Sequence, residues 1–191
     1  MREIRTRLAK IPNFAKTEYH PDQVMLYSKF AEITFKVLNL PFVAEFMEKL
    51  AKTLDLEAVE VRVLRMPAAR SKVTLIHRDG KPHLIWEDLK GRFGRKSGLI
   101  DVYPDLIWPR RLMKPIGLRN IGGLILNSSI RVLIHEMIHQ SGIRDEGEVR
   151  RLADQYYEDF KRIYPSRFDE ECKPLLKEWE TLERKLAQQK F

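Results

Sequence analysis

Residues 130–139 read IRVLIHEMIH, and no other stretch constrains the fold as tightly. Ile130, Val132, Leu133, Ile134, Met137 and Ile138 give a helix apolar side chains on most of its faces, and such a helix has to be enclosed by other elements. Enclosing it also buries His135, Glu136 and His139, whose polar groups then need partners. The chain has 191 residues, enough to build one core without staples, and a single domain spanning 1–191 is expected. Apolar residues make up 43% and charged residues 32%: the first figure is too high for a disordered chain, the second too high for a membrane bundle.

Apolar spacing predicts the surrounding elements. Residues 21–38 and 42–54 carry the helical period, with Pro41 between them, as two helices or one bent helix in an N-terminal part, 1–55. Residues 58–65 alternate apolar with charged in VEVRV. Residues 72–77 and 83–86 look similar, on either side of the turn RDGKP, where Asp79-Gly80 suits a hairpin. With a further strand in 97–108, these predict a small, mostly antiparallel sheet over 56–108. Two helices follow in 124–164, the first from Leu124 or Asn127 to Ser141 and the second from Asp145 to about Tyr164, ended by Pro165. A last helix is expected over 174–191, because Pro174 suits a first turn and Leu175, Trp179, Leu182 and Leu186 form one stripe. That stripe suits either core packing or a plug over a cleft. The expected class is α+β.

The motif HEMIH has a chemical reading. His135 and His139 lie one helical turn apart and present ring nitrogens to one tetrahedral metal ion. Glu136, one position round, borders the same point and is placed to take a proton from a metal-bound water. Chance produces HExxH in a chain of this composition with a probability of about one per cent. A catalytic zinc takes a third protein ligand, and the segment HQSGIRDEGE offers Asp145, Glu146 and Glu148. Gly142 suits the left-handed turn that ends the first helix. Asp145 and Glu148 are spaced as a capping box for the next, each satisfying a terminal amide, which leaves Glu146 for the metal. Asp145 is the rival ligand, because Gly142 and Asp145 complete the pattern HExxHxxGxxD. Glu158 is a third candidate, but at about 18 Å beyond Glu146 along a helix it could not share an ion with it.

HEMIH, followed by a glycine and an acidic helix start, resembles the zincin metallopeptidases over residues 127–157. The order of N-terminal helix, small sheet, motif helix and acid-bearing helix is similar to that of the compact zincins called minigluzincins. The resemblance implies a minimal zincin-like fold, Zn2+ held by His135 and His139, Glu136 as general base, and a third ligand on the following helix at Glu146 or Asp145. It also implies hydrolysis of a peptide or protein substrate, with latency as an option for the C-terminal stripe. Every methionine precedes residue 138, so the methionine turn of the metzincin branch is missing, and the downstream motif of the thermolysin-like branch has no clear copy.

Net charge is +8, and residues 65–119 alone hold 13 Lys and Arg against 5 acids, so the rest of the chain is neutral. Such a region attracts nucleic acid or acidic peptides, or else is a solvated basic face. The alternative function is therefore a nucleic-acid-binding protein with a structural or vestigial metal site. Tyr157, on the helical stripe of Glu146 and Ala153, is a candidate transition-state donor as well as a candidate core residue. An extended substrate finds its nearest sheet edge in 97–108. His77 and His83 either approach the site or serve as ordinary strand histidines. One cysteine, Cys172, excludes an intramolecular disulfide and a paired-cysteine zinc site. The charge-dotted N-terminus, and the expectation that no run approaches the ~20 apolar residues of a spanning helix, point to a cytoplasmic protein with no membrane partner.

Overall fold

The structure is a computed structural model that describes residues 3–69, 72–78, 81–87, 89–105 and 118–188. Its elements run β1 (Glu3–Leu8), α1 (Ala15–Glu18), α2 (Pro21–Leu38), α3 (Pro41–Thr53), β2 (Ala58–Val63), β3 (Lys72–Arg78), β4 (Lys81–Glu87), β5 (Gly91–Gly94) and β6 (Leu99–Val102). Then α4 (Leu118–Leu126) continues through a π-helical turn (Asn127–Arg131) into α5 (Val132–Gln140), followed by α6 (Glu146–Ile163) and α7 (Pro165–Gln188). The class is mixed α+β.

Prolines divide the N-terminal helices as the sequence suggests. Pro21 and Pro41 each occupy a first-turn position, where a missing N–H costs nothing. His20 caps α2: its Nδ1 accepts from Asp22 N at 3.2 Å while Gln23 Oε1 accepts from His20 N at 2.8 Å.

The main sheet corrects the expectation of a mostly antiparallel arrangement. Its order is β1-β2-β6-β5, with β1 parallel to β2, β2 parallel to β6, and only β5 antiparallel to β6. The physical reason is that α2 and α3 form a crossover between β1 and β2, which returns the chain in the same direction. The expected hairpin does form, but as a separate two-stranded sheet of β3 and β4. In it Arg78 faces Lys81, and residues 79 and 80 lie outside the described residues. On β2, Val59, Val61 and Val63 enter the core, and on β6, Ile100 and Val102 do. On the intervening positions Arg62 donates to both carboxylate oxygens of Asp101, at 2.8 and 3.0 Å, across the parallel register. The strand expected within 97–108 is thus β6, an inner strand; 106–108 lie outside the described residues.

The buried apolar residues form one cluster that takes in both sheet and helices. Phe42, Phe46, Phe160 and Tyr164 join α3 to α6, with Phe46 and Phe160 centroids 5.1 Å apart. Ile121–Gln140 is long and apolar enough to cross a bilayer by length and composition, contrary to the expectation that no such run exists. Within the fold, 69% of it is buried, as the core helix of a globular protein is.

The last helix begins at Pro165 and not at Pro174, which lies inside it. Pro165 takes the first-turn position, and Pro174 is carried within the helix at the loss of one hydrogen bond. The stripe of α7 belongs to the core: Trp179 and Leu186 are fully buried, Leu175 and Leu182 pack against the same cluster, and Trp179 meets Phe30 edge to face at 6.1 Å. None of the four lines the cleft described next.

Candidate metal centre

The π-helical turn sets the entry to α5. Ser128 and Ser129 are fully buried there, and the Ser129 hydroxyl donates back to the Ile125 carbonyl, an alternative partner that competes with the regular helical ladder. From Val132 onward α5 is regular, with Leu133, Ile134, Met137 and Ile138 in the core while His135 and His139 are half-buried on the opposite stripe. The helix ends as the sequence indicates: Gly142 has φ +103°, and its N–H donates to the His139 carbonyl.

The turn brings α6 back against α5. Asp145 is the N-cap of α6, and its Oδ1 accepts from Glu148 N at 2.8 Å. Only this half of the anticipated capping box forms among the described residues. Glu146, the first residue of α6, reaches the histidines: Oε1 lies 3.2 Å from His139 Nε2, and Oε2 lies 3.7 Å from His135 Nε2. The two imidazole centroids are 4.8 Å apart. The structure therefore brings Glu146 to the imidazoles and commits Asp145 to the cap. Glu158 pairs with Lys161 further along α6.

These donors suit a divalent ion. One ligand atom from each of His135, His139 and Glu146 lies within 4.8 Å of the others, the only such group among the described residues. His139 Nδ1 is 3.0 Å from the Ile143 carbonyl; donation of an Nδ1 proton to that carbonyl is the tautomer that leaves the Nε2 lone pair for a metal. Burial lowers the His135 pKa, and the neighbouring His139 adds to that, so the neutral form a metal requires is favoured.

Glu136 is buried between α5 and β5. Its Oε2 accepts from Phe93 N at 2.7 Å, and burial raises its pKa to about 7 against the opposing effect of that hydrogen bond. The close approach depends on Gly91: a Cβ there would lie 2.9 Å from Glu136 Oε1 and closer still to Val132 Cγ1. Together these residues border a cleft of about 770 Å³, whose wall also includes Lys90, Arg92, Arg95, Arg131, Arg150 and Asp154.

In comparisons with known proteins, no family model matches this chain, and neither does any curated protein or solved structure. The site therefore speaks through its own geometry.

Tyr157 lies about 16 Å beyond Glu146 along α6. Its half-buried ring lies against the cations of Arg131 at 5.9 Å and Lys161 at 5.2 Å. One sequence expectation is corrected at the site: the strand beside the centre is β5, not β6, because β5 occupies the outer position of the sheet. Gly91–Gly94 was missed because GRFG has neither β-branched residues nor alternation; its signal was the glycine spacing that permits backbone to approach a helix closely. The side chains of His77 and His83 lie outside the described residues.

Proposed function

We propose that this chain is a zinc-dependent metallopeptidase of the zincin type. The observation that carries the reading is the convergence of His135, His139 and Glu146 at a cleft whose wall also holds a buried Glu136. Two imidazoles and one carboxylate, the carboxylate exposed on the open side, match the donor set of a catalytic zinc site. Zinc bound there supplies Lewis acidity, lowering the pKa of water and polarising a carbonyl.

The chain's own groups supply the rest. Among the described residues the outer side of β5 has no strand partner, so an extended peptide can lie along it, past the Phe93 N–H that Glu136 takes, with its scissile bond towards the histidines. Glu136 accepts a proton from the attacking water as the new C–O bond forms, and returns it to the amine nitrogen as the C–N bond breaks. Phe93 N–H holds the carboxylate in place against β5.

The test is hydrolysis of a quenched fluorescent peptide mixture by zinc-loaded protein. Cleavage that stops on chelation, returns with zinc and is absent in Glu136→Gln supports the reading. Cleavage indifferent to all three treatments overturns it.

A further inference from the structure

The walls of the cleft are unevenly charged. Five basic residues border it, Lys90, Arg92, Arg95, Arg131 and Arg150, against three acids, Glu136, Glu146 and Asp154. The acids are committed: Glu136 to Phe93 N, Glu146 to the two histidines, and Asp154 to Arg131. Lys90 is likewise held, with Nζ 3.0 Å from the buried carboxylate of Asp105. Arg92 and Arg95 are different, because both are exposed and neither makes an ion pair among the described residues. A divalent ion at the histidines adds positive charge to the same space. Lys90, Arg92 and Arg95 belong to the basic stretch 65–119, so part of the chain's charge surplus is gathered at this one place.

Resting on the peptidase reading, we infer that the cleft selects peptides carrying acidic side chains next to the scissile bond, with Arg92 and Arg95 as the discriminating residues. A site with one sign of charge concentrates ligands of the other, and like charges placed against it are rejected. The feature that favours a peptide over a nucleic acid strand is β5. Among the described residues its strand partner is β6 alone; Phe93 N–H is taken by Glu136, and the main-chain groups left on the outer side suit a second extended backbone better than a nucleic acid strand, which has no regular ladder of amide donors and carbonyl acceptors. Arg92, in the middle of β5, is then a cross-strand neighbour of a substrate side chain, where an opposite charge is favourable. Arg95 begins the turn after β5 and extends the same preference along the bound chain.

The experiment uses full-length, zinc-loaded protein and three fluorescent peptides that are identical except for two Glu, two Gln or two Lys flanking the scissile bond. Binding is read by anisotropy on Glu136→Gln, and kcat/KM is read on the unaltered enzyme. The Glu peptide is expected to bind and react about ten-fold better than the Gln peptide, with the Lys peptide last. The double variant Arg92→Glu/Arg95→Glu inverts that order, its melting temperature serving as the check on folding. Cleavage of all three peptides without charge preference overturns the inference and leaves the peptidase reading standing. Arg-dependent preference for the Glu peptide in binding, with no cleavage of any peptide, supports the selection of acidic peptides by the cleft and overturns the peptidase reading together with the placement beside a scissile bond. Tighter binding of a single-stranded oligonucleotide of equal charge than of the Glu peptide overturns the inference in favour of a nucleic acid partner.

Discussion

Phe93 N–H donates to Glu136 Oε2 across 2.7 Å, so an edge strand of the sheet and the helix bearing the histidines meet at the carboxylate that the proposed mechanism uses as its proton acceptor. Replacing that carboxylate by an amide keeps the shape and removes the proton acceptor. Glu136→Gln is expected to lower kcat/KM by about 10²- to 10⁴-fold while leaving the circular dichroism spectrum and zinc content unchanged. Steady-state kinetics beside metal analysis check this, and undiminished turnover refutes the role.

Gly91 governs the same junction by its lack of a side chain. A methyl group there collides with Val132 and crowds Glu136, so Gly91→Ala is expected to destabilise the protein by about 1–3 kcal/mol and to impair hydrolysis. The double variant Gly91→Ala/Val132→Ala recovers part of the loss, because the second change removes the atom struck. Chemical denaturation of the three variants measures it, and additive losses contradict the packing account.

How far such relationships were legible in the sequence depended on their range. Local period and local punctuation were enough for α2, α3, β2 and α6 and for the Gly142 stop, while they left Asp145 open as either the cap or a rival ligand to Glu146. They were not enough for sheet pairing: EIRTRL alternates, but with only Ile4 and Leu8 as apolar residues it reads as a charged terminus until β2 pairs with it. The parallel order depends on where the α2–α3 crossover lands, which no local pattern records. Gly91 and Phe93 likewise gain their meaning from residues more than 40 positions away.

Phe160 anchors α6, and with it Glu146, to the N-terminal helices through Phe42 and Phe46. Phe160→Ala is expected to cost about 3–5 kcal/mol, since a nearly fully buried ring is replaced by a cavity. Urea unfolding measures it, and a loss well under 1 kcal/mol contradicts the packing described.

Glu178 ties α7 to α2, with Lys29 Nζ at 2.5 Å and Lys36 Nζ at 2.8 Å. Hydrogen bonds from the two lysines hold its carboxyl below the ordinary glutamate value. A lowered folded-state pKa contributes stability that is fully present above the unfolded value of 4.5 and is lost as pH falls through the folded one. Glu178→Gln is therefore expected to melt lower than the parent at neutral pH. The gap closes as the pH drops below 4.5. A gap that widens on acidification reverses the sign of this argument.

The central claim is that His135, His139 and Glu146 hold one metal ion, and metal analysis with calorimetric titration addresses it directly. Purified protein is expected to bind one zinc per chain, with His135→Ala and Glu146→Gln each weakening that affinity at least about ten-fold while the fold is retained. Folded protein that takes up no zinc, or whose zinc affinity is unaltered in both variants, contradicts it.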